Sequence, residues 1–281
     1  MSMLCVSLFG CTETQPSTEI VATTLPVYEF TELLCDGTNL NIKRLIAEDI
    51  SCLHDYSINA TQMQALESAE LLIISGVALE SFLEDVHVAI PIVDASKGIP
   101  LLCAEHSHED SHAHSHSSDP HYWLAPERAK IMAANICEGL AKTYPEHKTM
   151  LFENLNKLET ELNALTEYAG AKLNSLSCRE LVTFHDGFAY MAEAFNLEIL
   201  HAVEEESGSE ASAAELTELI NLVKKHHLPA VFTERNGSVS AATIIAAEAD
   251  VSIFTLDMAV SGDSYFDAMY SNIDTLSEAL K

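Results

Sequence analysis

A chain of 281 residues with 48% hydrophobic content can bury one large core or two smaller ones, and is too apolar to be disordered. Its 14 lysines and arginines against 43 acids leave a formal net charge of −29, which repels phosphate backbones and argues against a nucleic-acid partner. No stretch reaches the roughly 18 uncharged apolar residues that a membrane-spanning helix needs, so attachment to a membrane would require an anchor.

In chain order, residues 1–18 read as a processing segment and tether. Leu8-Phe9-Gly10-Cys11 ends a short apolar run with a small residue before cysteine, and this resembles the lipobox of bacterial lipoproteins, in which such a cysteine becomes the lipidated N-terminus. Residues 12–18 follow as a polar linker, although no lysine or arginine precedes Lys43 to form a basic leader. The seven cysteines, at 5, 11, 35, 52, 103, 137 and 178, contain no CxxC pair and spell neither a zinc ribbon nor a disulfide framework.

From Ile20 the run 20–25 is rich in β-branched residues and ends at Pro26, which predicts a strand, a turn, and a helix over 28–35. Further strands are expected at 40–45, 71–75 and 90–93, with a helix over 59–69 that Asn59 or Thr61 could cap. Alternating strands and helices imply a mostly parallel sheet covered on both faces, here assigned to an N-terminal lobe over 19–126. Residues 127–178 contain Pro145 as their one proline, and Leu151, Leu155, Leu158, Leu162 and Leu165 recur at helical spacing, so this region reads as a long connecting helix. A C-terminal lobe over 179–281 then repeats the βα pattern. Its strands are expected at 180–184, 198–203, 230–233 and 252–256, and its helices at 189–194, 213–225 and 241–249. The predicted fold is therefore α/β, two βα lobes with mostly parallel sheets joined by a long helix, and a ligand site in the cleft at the carboxyl ends of the strands.

Chemistry concentrates in histidine. His54 lies in Leu53-His54-Asp55-Tyr56, His121 in Asp119-Pro120-His121-Tyr122-Trp123-Leu124, and His185 in Thr183-Phe184-His185-Asp186-Gly187; Asp257 follows the last predicted strand. Imidazole nitrogens and a carboxylate suit zinc and its neighbours, and such a set can close a tetrahedral shell with no position left for catalytic water. Separately, the polar segment 104–118 carries His106, His108, His112, His114 and His116, an alternation that offers secondary, exchangeable metal sites on a solvated loop. His201, His226 and His227 have no comparable motif and read as surface residues.

These motifs resemble those of the metal-binding lipoproteins that serve bacterial zinc and manganese ABC transporters, the zinc-uptake type in particular. The resemblance rests on His-Asp-Tyr at 54–56, Asp-Pro-His-x-Trp-Leu-x-Pro at 119–126, Phe-His-Asp-Gly-Phe-x-Tyr at 184–190, and Asp257 with Gly262-Asp263-Ser264-Tyr265 and Asn272. It extends over the chain from about Thr18 to Lys281, and the segment ending Phe232-Thr233-Glu234 matches as well. It implies that His54, His121, His185 and Asp257 ligate the metal; Glu234, at the end of a strand near the same cleft, reads as a backup ligand or a hydrogen-bond partner, with the second preferred. It also implies an extracytoplasmic binding protein, monomeric and anchored by lipid at Cys11 or periplasmic, that delivers Zn(II) to an ABC permease. Ala125 stands where the family often has aspartate, and the usual proline after His-Asp-Tyr is absent, which leaves open what orients His121 and how the first loop is shaped. Manganese-type members tend to carry glutamate at the position of His185, and imidazole there favours zinc over hard Mn(II).

Three alternatives keep the same residues but change the role: a manganese-specific binding lipoprotein, a surface adhesin, and a zinc hydrolase with water in the fourth position. No HExxH helix or glutamate-based general base is present, and Asp257 as a ligand would exclude that water, so a non-enzymatic binding protein is the reading adopted.

Overall fold

The structure is a computed structural model that describes residues 20–50, 53, 56–84, 86–102, 118–203 and 211–281. Cys11, His54 and the loop histidines 106, 108, 112, 114 and 116 lie outside the described residues.

Two four-stranded parallel sheets organise the fold. The first has the order β2-β1-β3-β4, with β1 at Ile20–Ala22, β2 at Ile42–Arg44, β3 at Leu71–Ile74 and β4 at Ile92–Asp94. Ile20, Val21, Leu71, Leu72 and Ile73 are fully buried, as continuous apolar runs must be in a parallel sheet covered on both faces. The second has the order β6-β5-β7-β8, with β5 at Glu180–Thr183, β6 at Glu198–Ala202, β7 at Ala230–Glu234 and β8 at Ser252–Leu256. In each sheet the chain leaves an inner strand in opposite directions, between β1 and β3 and between β5 and β7. Such switch points open crevices at the carboxyl ends of the strands.

The helices begin where local chemistry dictates. α1, Leu25–Leu34, carries Pro26 in its first turn, where no N–H is needed; the expected turn at this proline is instead the start of the helix. α2, Ala60–Ser68, is closed by a capping box in which Asn59 accepts from Gln62 N and the Gln62 side chain accepts from Asn59 N. α3, Pro126–Thr143, and α4, Lys148–Leu173, divide the region expected to be one long helix. The ring of Pro145 disfavours helical geometry at Tyr144, and a single 3-10 turn over Pro145–His147 reverses the chain so that α3 and α4 pack together.

The connection between lobes is thus α4 alone. Its 26 residues span roughly 39 Å, and it packs against α1 of the first lobe and against α8, Tyr265–Ala279, of the second. Leu151, Leu158, Leu162 and Leu165 line its buried stripe, and Asn154 Nδ2 donates to Leu34 O and Asp36 O at 3.0 and 2.9 Å, tying it to the end of α1. α8 had no counterpart among the expected helices; Ser264 caps it by accepting from Asp267 N. The remaining helices of the second lobe are α5, Ala189–Phe195, α6, Ala213–His226, and α7, Ser240–Ala249.

One hydrophobic core runs from Ile20 in the first sheet through α3, α4 and α8 to Leu280, and a smaller one built on Val182, Val223, Val231 and Ile245 fills the far side of the second sheet. The lobes are therefore joined through a shared core, and the loops after their strands also meet: Leu25 N donates to Val260 O at 3.1 Å and Arg44 Nη1 to Gly262 O at 2.6 Å.

Candidate metal centre

His121 is held by the first lobe at the mouth of its switch point. Asp119 N donates to Leu102 O at 3.0 Å, which brings together the two ends of the histidine-rich segment, and His121 then opens a 3-10 turn at Tyr122–Leu124. That turn is fully buried: Tyr122 Oη donates to Ser75 O just past β3 at 2.6 Å, and Trp123 Nε1 donates to Met258 O of the second lobe at 2.8 Å. Tyr265 Oη donates to Trp123 O at 2.8 Å, so α8 also secures the turn. Beneath it, the buried Glu80 carboxylate accepts from Thr23 Oγ1, Ser75 N and Gly76 N, fixing the loops that follow β1 and β3.

The imidazole of His121 is oriented by Asp119. One carboxylate oxygen, Oδ1, accepts from both His121 N and His121 Nδ1 at 2.8 Å, and both side chains are nearly buried. A carboxylate can only accept, so the ring proton sits on Nδ1 and the Nε2 lone pair is left for a cation. This answers what orients His121 in a chain with Ala125 rather than aspartate: the partner is the aspartate two residues before the histidine.

His185 follows β5 across the cleft. Its ring stands edge-on to that of His121, with centroids 5.6 Å apart and planes at 82°. Its Nδ1 lies 3.6 Å from Glu234 Oε2, at the end of the neighbouring strand β7, too long for a hydrogen bond but close enough for the carboxylate charge to favour a proton on Nδ1. Glu234 is buried at the end of that strand. Gly187 makes the approach possible: a Cβ there would stand 2.3 Å from Met258 Cε, 2.8 Å from His185 Cδ2 and 3.1 Å from His121 Nδ1.

Asp257 follows β8 and belongs to a different network. Its backbone is locked by Asn272, whose Oδ1 accepts from Asp257 N and whose Nδ2 donates to Asp257 O, both at 2.7 Å. Its Oδ1 accepts from Ala259 N at 2.8 Å and its Oδ2 from Arg235 Nη1 at 3.0 Å. Among the described residues, no three His, Cys, Asp or Glu side chains are gathered into a ready ligand cluster. The structure thus brings His121 and His185 together with Glu234 and holds Asp257 on Arg235, while His54 lies outside the described residues. Of the other histidines, His226 pairs through Nδ1 with Glu180 at 2.9 Å, His227 takes the left-handed conformation that ends α6, and His201 is exposed.

The residues bonded around the candidate ligands that sequence did not assign are Asp119, Glu80, Trp123 and Arg235. Asp119 was visible within its motif, since an aspartate two residues before a histidine can reach both its N–H and its ring. Trp123 and Arg235 act over separations that sequence spacing does not encode, as does Glu80 where it reaches Thr23 across 57 positions.

The chain matches, over residues 20–279, the family model described as ZnuA, zinc-uptake complex component A periplasmic. A protein of Treponema pallidum (strain Nichols), whose name calls it metal-binding, is 28% identical over 92% of this chain and 86% of its own length. The zinc-binding lipoprotein AdcA of Streptococcus pneumoniae serotype 4 is 27% identical over 92% of this chain, which spans 55% of that longer protein. A crystal structure of ZnuA superposes with a TM-score of 0.81 at 26% identity, covering 94% of this chain and 100% of that one. Two parallel α/β lobes bridged by a long helix, two facing imidazoles at the strand ends and a family match over nearly the whole described chain lead to one conclusion: the chain belongs to the ZnuA family of periplasmic zinc-uptake components.

Proposed function

We propose that this protein captures Zn(II) outside the cytoplasm and delivers it to an ABC-type permease, acting as a binding protein and not as an enzyme. The observation that carries this reading is the pair His121 and His185, with rings 5.6 Å apart, Nδ1 of the first bonded to Asp119 and Nδ1 of the second 3.6 Å from Glu234 Oε2. Two neighbouring imidazoles make a zinc-preferring half-site, because neutral imidazole suits zinc better than hard manganese. His54 and Asp257 complete the proposed ligand set, and His106, His108, His112, His114 and His116 supply weaker sites. The membership of the zinc-uptake family and the zinc-binding name of the streptococcal relatives support this choice of metal. Lipidation at Cys11 would hold the protein at the membrane.

The test is metal content and stoichiometry. Protein made without a histidine tag should carry one tightly held zinc by mass spectrometry, retain it when residues 106–116 are deleted, and lose it in the His121→Ala and His185→Ala variants. Retention of tight zinc by both substituted variants would refute the assignment, and preferential manganese loading would move the chain to the manganese reading.

A further inference from the structure

Arg235 stands directly after Glu234, and its N–H donates to Leu256 O at 2.8 Å, which continues the β7–β8 pairing and starts its side chain beside Asp257. Its guanidinium joins both lobes. Nη1 lies 3.0 Å from Asp257 Oδ2, and Nη2 lies 3.4 Å from Asp49 Oδ2 in the loop after β2. Asp49 Oδ1 in turn accepts from Asn236 Nδ2 at 3.0 Å and from Ser261 Oγ at 3.1 Å. Gly262, at φ +97°, lets the guanidinium lie against the loop: a Cβ there would be 3.2 Å from Nη1. In a chain with 14 basic residues against 43 acidic ones, a permanent cation is thus set on the one carboxylate proposed to ligate a metal.

We infer that Arg235 is an affinity-setting counter-cation: its guanidinium occupies the Asp257 carboxylate in the metal-free protein and is displaced when a divalent cation takes that oxygen. The inference rests on the reading of Asp257 as a ligand. With Oδ1 engaged by Ala259 N and Oδ2 by Arg235, a metal ion that takes Oδ2 must break the ion pair or share its oxygen. Exposure favours the exchange: the Arg235 side chain is 47% exposed and can swing into water, whereas Asp257 is 17% exposed and anchored by Asn272. Asp49 would retain the released guanidinium and keep it close enough to return when the metal departs. The competition therefore lowers zinc affinity and eases release.

The experiment compares zinc affinity, by competition with a chromophoric chelator and by calorimetry for weak variants, in zinc-stripped wild type, Arg235→Gln, Arg235→Lys, Asp257→Asn and the Asp257→Asn/Arg235→Gln double variant. Arg235→Gln should bind zinc about threefold to tenfold more tightly, the scale of a partly exposed ion pair plus relief of like-charge repulsion. Arg235→Lys, which keeps the charge, should retain most of the competition. The gain should vanish in the Asp257→Asn background, because the carboxylate being contested is gone. Equal tightening in both backgrounds would mean a general field effect and overturn the proposal, as would unchanged or weaker binding by Arg235→Gln. If Asp257→Asn leaves zinc affinity unaltered, the ligand reading has failed, a result distinct from failure of the counter-cation. Thermal unfolding of the zinc-free variants checks that each is folded.

Discussion

Removing the carboxylate of Asp119 tests the orientation of His121 directly. One oxygen of Asp119 receives two N–H groups, the backbone and the ring Nδ1 of His121, both at 2.8 Å, and the pair is 9% and 5% exposed, so water does not readily replace the acceptor. In Asp119→Ala the ring loses the bond that fixes both its tautomer and its rotation. Loss of such an outer partner of a metal-ligating histidine typically weakens metal binding about 10- to 100-fold, or about 1.4 to 2.7 kcal/mol. Asp119→Asn keeps an acceptor oxygen but not the charge, and should fall at the lower end of that range. The alanine variant also orphans two buried donors at about 1 to 3 kcal/mol each, so its zinc-free form should melt earlier than wild type. Zinc affinity by chelator competition, alongside thermal unfolding of the zinc-free proteins, separates the two effects. An Asp119→Ala protein that is folded and binds zinc within twofold of wild type would refute the argument.

Three further outcomes are expected. His185→Glu should shift the ratio of zinc to manganese affinity toward manganese, because a hard carboxylate replaces an imidazole; an unchanged ratio in paired titrations would remove His185 from the ligand set. Gly187→Ala would place a methyl 2.8 Å from His185 Cδ2 and 2.3 Å from Met258 Cε, so zinc should bind at least about tenfold more weakly while the fold survives, and wild-type affinity would show that the two rings need not approach as they do here. Burial pushes the Glu29 carboxyl up, against hydrogen bonds from Tyr265 N and Ser264 Oγ that lower it. A carboxyl with a raised folded pKa favours folding at pH below its unfolded value near 4.3 and loses that contribution as pH rises through the folded value. Wild type should therefore lose stability relative to Glu29→Gln as pH climbs above about 4.3, and a melting-temperature difference independent of pH would contradict the sign.

The linear order of residues carried the local decisions. Continuous apolar runs at 20–22 and 71–74 pointed to buried parallel strands once helical periods separated them, and Asn59 with Gln62 spelled a helix start whose hydrogen bonds all lie within three residues. Motif context likewise singled out His121 and His185, and the spacing of Asp119 contained the partner of His121 in advance. α8 was harder to read, because its buried face includes the polar Asn272, whose burial makes sense only when the backbone of Asp257 comes to meet it from another element. The interruption at Pro145 was legible as a single proline, but whether it would kink one helix or reverse the chain depended on whether α3 had a surface to return to, and the leucine stripe of α4 supplied it. What tertiary structure alone decided was which charges meet. Glu234 reaches His185 across 49 positions, Trp123 reaches Met258 across 135, and Arg235 bridges Asp257 at 22 positions and Asp49 at 186. Such pairings follow from parallel strands that place distant segments side by side at one end of a sheet. Local pattern decides which faces must be buried, whereas the choice of neighbour at the strand ends is made only when the two sheets are held together by a shared core.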